Sequence, residues 1–276
     1  MYDRNTPYQG GRRVDSVRRW KIWRYFKDYF PVTLKKTVDL DPSRNYIFCY
    51  HPHGIMAVGS FCNFCTESTD FSKIFPGIRP YALTLDGHFQ FPFYREFFMC
   101  SGSCAVSKRS IEWILTKEGK GCAPVIVIGG AAEALDAHAF QATLTLKRRK
   151  GFIRLAIKHG VSLVPIYSFG ENELFSQVLN PKGSLLRKTQ EKLMRILGFS
   201  PPLYHGRGIF QYTFGILPNR NPIVTVVGRP LDVEKIANPT EEEVNKVHER
   251  YVKSLNELFE ENKKSYGYDN VDLVID

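Results

Sequence analysis

Nowhere in these 276 residues do apolar side chains run long enough to cross a bilayer; a spanning helix takes about 20 of them in a row. The opening stretch MYDRNTPYQGGRR has no apolar centre of the kind a secretory signal carries. No Gly-x-Ser-x-Gly elbow occurs, which sets aside a serine nucleophile mounted on a strand-to-helix turn. Internal repeats and low-complexity tracts are also missing, so solenoids and long disordered linkers drop out. Acidic residues are in short supply: 28 Asp and Glu stand against 38 Lys and Arg, a net charge of +10. The excess calls for an anionic partner, and nucleic acid, an anionic membrane surface and a phosphorylated cofactor all satisfy it. No nucleic-acid recognition motif accompanies the charge and the aromatic residues lie in apolar runs, so no nucleic-acid partner is expected. Cysteine is sparse, six residues at 49, 62, 65, 100, 104 and 122. A chain of this size builds its core without disulfide staples, and buried thiols of a reducing compartment are expected. Cys62 and Cys65 have Cys-x-x-Cys spacing, but they sit among Phe61 and Phe64 rather than in turns, so no metal site is expected.

What is present is an ordered alternation. YIFCY (46–50), YALTL (81–85), APVIVIGG (123–130), SLVPIYSFG (162–170) and PIVTVVG (222–228) read as strands. SIEWILTKEG, KGFIRLAIKHG, LLRKTQEKLMRILG and the tail from Pro239 read as helices, the last opened by a Thr240–Glu243 capping box. This pattern predicts an α/β domain with a mostly parallel sheet flanked by helices. Residues 13–30, RVDSVRRWKIWRYFKDYF, are predicted to form one basic amphipathic helix, with Lys21, Arg24 and Lys27 opposite Trp20, Ile22, Trp23, Phe26 and Phe30. Such a helix suits a bilayer interface, and it equally suits packing of its aromatic face on the core. The expected division is an interfacial segment, 1–30, and an α/β domain, 31–276.

In open α/β sheets ligands bind beyond the carboxyl ends of strands. Three such ends carry reactive groups: HPHG after YIFCY, GGAAEALD after VIVI, and SFGENE after LVPIY. Proline disfavours helix at the preceding residue, so His51 is expected to stay extended and to share a face with His53. An imidazole titrates nearest neutrality, which suits general-base work on a hydroxyl. Glu133 and Glu171, at the neighbouring ends, are the candidate supporting carboxylates. Gly54, Gly129 and Gly130 are candidate oxyanion and substrate positions. Arg148, Arg149 and Lys150, beside Lys147, form a cationic cluster suited to phosphates.

YFP at 29–31, RNYIFCYHPHGI, FPGIRPY, VIVIGGAAEAL and above all RRKGFIRLAIKHGVSLVPIYSFGENELF resemble the diacylglycerol and monoacylglycerol acyltransferase family, the animal type-2 branch that includes wax synthases. The resemblance implies a fold like that of the glycerolipid acyltransferases. It implies transfer of a fatty acyl group from acyl-CoA to monoacylglycerol or diacylglycerol at a membrane surface, on the cytosolic face of the endoplasmic reticulum or on lipid droplets. Acyl-CoA is then a co-substrate and no cofactor is required; a homo-oligomer is compatible. The alternatives are a wax synthase acting on a fatty alcohol and a catalytically idle lipid-binding scaffold of the same fold. Within it His51 is expected as the base, His53 as its support and Glu133 as the orienting carboxylate, with His205 and Arg207 of YHGRGIF near the substrate. The segment HGRGIFQYTFGILP is more similar to the monoacylglycerol branch. Wider relatives carry a His and, past four intervening residues, an Asp; here Met56 and Val58 occupy those places after His51 and His53. Asp136 stands where those relatives have a phosphate-binding Arg, and a neutral acceptor is expected from it. The family usually begins with a membrane-inserted hairpin, and this chain opens where such a hairpin would end. Attachment is then expected through the amphipathic helix and apolar loops such as FQFPFYREFFM, unless the sequence is a truncation.

Overall fold

The computed structural model describes residues 3–276, apart from the side chain of Leu197. Its main sheet has seven strands: β1 (Val32–Lys36), β2 (Tyr46–His51), β3 (Arg79–Thr84), β4 (Cys104–Ala105), β5 (Cys122–Val127), β6 (Ser162–Phe169) and β7 (Ile223–Val227). They lie in the order β1-β7-β6-β2-β5-β3-β4. Every neighbouring pair is parallel except β7 with β6, as the alternation of strands and helices predicts. Side chains alternate across a strand, and β2 is covered on both faces. Tyr46, Phe48 and Tyr50 enter one core with Phe64, Phe71 and Phe75, while Ile47 and Cys49 enter the other.

That second core is roofed by three helices: α3 (Lys108–Lys117), α5 (Gly151–His159) and α7 (Glu241–Lys263). α3 starts at Ser107, whose side chain accepts from the Ser110 N–H, and α7 starts at the expected Thr240–Glu243 capping box. Between them come α4 (Gly130–Glu133), one turn after β5, and α6 (Leu185–Leu197). A small parallel pair, Ala142–Leu144 with Leu273–Ile275, ties the C-terminus to the segment before α5.

The N-terminal helix differs from expectation. It is broken into a turn at Asp15–Arg18 and α1 (Lys21–Tyr29), with α2 (Tyr94–Cys100) behind. The break follows from Arg18, which turns inward and is fully buried. Its guanidinium donates to the carbonyls of Phe64 and Ser101 at 2.9 and 2.6 Å and reaches Glu67 at 3.3 Å. Trp23 packs on Phe61 and Phe97, and Phe26 on Phe30 and Phe61, so these rings serve the core, whereas Trp20, Ile22 and Tyr25 stay exposed. The cysteines are free and all but Cys100 are buried. No helix among the described residues is long and apolar enough to cross a membrane.

Candidate active site

Because β6, β2 and β5 are adjacent and parallel, the three reactive strand ends meet at one edge of the sheet. The two histidines do not share a face there. His51 follows Ile47 and Cys49 in the two-residue alternation and is fully buried on the α7 side. Its Nε2 lies 2.8 Å from the Tyr251 hydroxyl, and its Nδ1 has no partner. Burial pushes its pKa down to about 3. The chain then leaves the sheet through a cis His51–Pro52 peptide and a left-handed Gly54, φ +59°. His53 is half-buried. Its Nδ1 is 3.0 Å from the Gly54 carbonyl, an acceptor that places the proton on Nδ1 and leaves the lone pair on Nε2. Desolvation holds this imidazole below its ordinary value.

Two buried carboxylates grip the loop between them. Glu133 accepts the main-chain N–H of His53 at 2.6 Å and that of Thr145 at 2.8 Å. It therefore orients backbone rather than an imidazole, which corrects the expected pairing. Glu171 accepts from the N–H groups of Val58 and Gly59 at 2.6 and 2.9 Å and from the Tyr50 hydroxyl at 2.7 Å. Its carboxylate is buried and spent on the loop, so it supports the backbone there rather than an imidazole. Burial raises both acids to about 7. The packing is tight enough to require glycine. A Cβ on Gly54 would come within 2.7 Å of Glu171 Cγ, and one on Gly129 within 2.1 Å of Glu133 Oε2.

At the carboxyl ends of β3, β4 and β5 opens a cavity of about 1020 Å³. Leu85, Val106, Ile128, Phe152, Leu155 and Met194 form its apolar wall; Lys108, Arg148, Arg149, Lys150, Arg154 and Lys158 form a cationic rim. Gly130, Ala131 and Ala132 line it too, so α4 borders the cavity along most of its single turn and ends on Glu133. Arg149 donates to the Gly129 carbonyl at 3.1 Å and Lys150 to Asn245 at 2.6 Å. Lys108 and Arg148 are exposed and carry no ion pair among the described residues. A smaller cavity of about 300 Å³, near Asn45 and His159, lies at the opposite, amino end of β2.

Other expected positions lie elsewhere. His205 stacks on Phe214 at 5.3 Å, and the Arg207 guanidinium covers Tyr29 and Tyr212 at 5.5 and 4.8 Å. His205 pairs with Ser176 just before a hairpin that contains Arg207, and neither residue lines the large cavity. Asp136 is held in a two-pronged pair by Arg187 of α6 at 2.7 and 3.0 Å. Its charge is already answered, so repulsion of a phosphate by Asp136 has no support here. No group of His, Cys, Asp and Glu among the described residues is arranged to hold a metal ion. Tyr251 escapes the sequence reading, because its place on the apolar stripe of α7 signals only core.

Comparison with known proteins now bears on the site. The sequence matches the family described as diacylglycerol acyltransferase over residues 1–276. The chain belongs to the diacylglycerol acyltransferase family. It is thus an acyltransferase, and the matched span contains the whole histidine loop, both clamps and the cavity. The 2-acylglycerol O-acyltransferase 1 of Bos taurus is 54% identical over 274 residues, 99% of this chain and 82% of the relative. The diacylglycerol O-acyltransferase 2 of Danio rerio is 51% identical over 276 residues, all of this chain and 76% of the relative. The diacylglycerol O-acyltransferase 2 of Homo sapiens is 49% identical over 275 residues, 99% and 71% respectively. Among solved structures, the 1-acyl-sn-glycerophosphate acyltransferase PlsC of Thermotoga maritima superposes with a TM-score of 0.44 and 14% identity, over 86% of this chain and 78% of that one.

Proposed function

We propose that this acyltransferase moves a fatty acyl group from acyl-CoA to a hydroxyl of monoacylglycerol or diacylglycerol, with His53 rather than His51 as the general base. The observation that carries this reading is the setting of His53. Its ring is half-buried, its Nδ1 faces a carbonyl, and its main chain is pinned by Glu133, which ends the turn whose Gly130 and Ala132 line the cavity with the apolar wall and cationic rim. A base must be neutral before it can take a proton, and burial keeps this imidazole neutral at pH 7. Nε2 accepts the hydroxyl proton as the lipid oxygen attacks the thioester carbonyl. The C–S bond then breaks and CoA leaves as a thiolate, which takes up that proton. N–H groups at Gly54 and at Gly129 and Gly130 are the proposed oxyanion donors, a contribution of about 3 kcal/mol each. The apolar wall receives the acyl chain, and Arg148, Arg149 and Lys150, with Lys108, receive the phosphates of CoA. Glu133 and Glu171 act as positioning residues.

The acceptor is a lipid, and we place the enzyme on a lipid surface, the cytosolic face of the endoplasmic reticulum or a lipid droplet. The hairpin closed by the Gly206–Gly215 and Arg207–Leu217 bridges supports this. It exposes Phe210 at 98% and Ile216 at 86%, with Ile209, Tyr212 and Phe214 also open to solvent. Soluble monomers rarely leave such a patch bare. It adjoins α1 through a Tyr29 hydroxyl bond to the Pro218 carbonyl, and Arg207 and Arg220 flank it at headgroup-like positions.

Labelled oleoyl-CoA supplied with both acceptors in mixed micelles tests the reaction. Labelled diacylglycerol or triacylglycerol is the expected product, and their ratio names the preferred acceptor. Release of free oleate alone, or no turnover, rejects the proposal in favour of an idle scaffold.

A further inference from the structure

Tyr251 is 200 positions from His51 in sequence, yet its hydroxyl lies 2.8 Å from His51 Nε2. Both side chains are fully buried. The other ring nitrogen, Nδ1, has no partner, and that orphan decides the tautomer. A buried N–H without an acceptor is rarer than a lone pair without a donor. The ring proton is therefore assigned to Nε2, which donates to Tyr251 Oη. The Tyr251 ring also packs T-shaped with Phe152, 5.2 Å between centroids. Phe152 belongs to the wall of the large cavity. A single side chain of α7 thus spans from the proposed acyl-CoA cavity to the strand end that carries His53.

We infer that Tyr251 is a positioning residue for acyl transfer, holding His51 as its Nε2–H tautomer and so fixing the end of β2 from which His53 projects. The inference rests on the acyl-transfer reading above and adds a contact from an element whose sequence pattern signals only packing. His51 is then a neutral strut, buried with its hydrogen bond made and its charge never formed.

Tyr251→Phe keeps the ring against Phe152 and removes the hydroxyl. Its kcat is expected to fall about tenfold in mixed micelles while KM for oleoyl-CoA and acceptor stays within about twofold, because the lost bond orients the site and binds no substrate. The double variant Tyr251→Phe/His51→Gln should lose no more than the larger single loss, the mark of two residues acting as one unit. An unchanged kcat for Tyr251→Phe, or losses that multiply in the double variant, overturns the inference. Selective ¹⁵N-histidine labelling of the wild-type protein reads the tautomer without any assay of activity. The Nε2–H form is expected at His51, and an Nδ1–H form overturns the assignment. An active wild type with an unaffected Tyr251→Phe sinks this role alone; an Nε2–H tautomer in a wild type without transfer sinks the acyl-transfer reading and this role with it.

Discussion

His53 works, on this account, because it is partly desolvated and not because it is made more basic. Its pKa lies below the ordinary 6.5, so the protonated, inactive form persists only below that pH. The acid limb of kcat/KM should therefore have its midpoint under pH 6.5, checked by initial rates between about pH 4 and 8. A midpoint above that value would assign the limb to another group. His51 was expected as the base; the structure instead continues the alternation Ile47, Cys49, His51 into the core that the first two share. Reading both histidines as one open pair required the extended chain to continue past Pro52, and it does not. Glu133 and Glu171 were legible as strand-end carboxylates. That they bond main-chain N–H groups was not, because no pattern of side chains encodes which backbone donors a loop leaves free.

Among the elements, the hairpin 206–217 exposes a cluster of large apolar side chains and meets the end of α1 at Tyr29, over which Arg207 and Arg220 lie. The hairpin is expected to carry the membrane contact. Phe210→Asp with Ile216→Asp should abolish flotation with liposomes containing anionic phospholipid while leaving micellar turnover within about twofold, since neither residue lines the cavity. Undiminished flotation would move the contact to Trp20, Ile22 and Tyr25. The sequence pattern pointed instead to an unbroken helix over 13–30. It missed the break because the partners of Arg18 are carbonyls of Phe64 and Ser101, far along the chain. The aromatic hairpin lies in no periodic run, so its exposure had no signature beyond the concentration of apolar residues in HGRGIFQYTFGILP.

At the scale of the whole molecule, the parallel sheet brings three strand ends to one edge, and β2 is central because β6 and β5 flank it. The alternation of strands and helices was enough to expect that meeting; the antiparallel turn of β7 and the edge position of β1 needed the fold. The two cores on either face of β2 hold its end, the two carboxylates fix the loop that follows, and the cavity at the ends of β3, β4 and β5 has room for a thioester. Catalysis and binding are accordingly separable in this architecture. His53→Ala removes the base without touching the cavity wall or rim. The direct measurement is oleoyl-CoA binding and single-turnover acyl transfer by His53→Ala beside the wild type. The account predicts a Kd within about twofold and a transfer rate lower by about 100-fold or more; transfer at a rate close to wild type would contradict it.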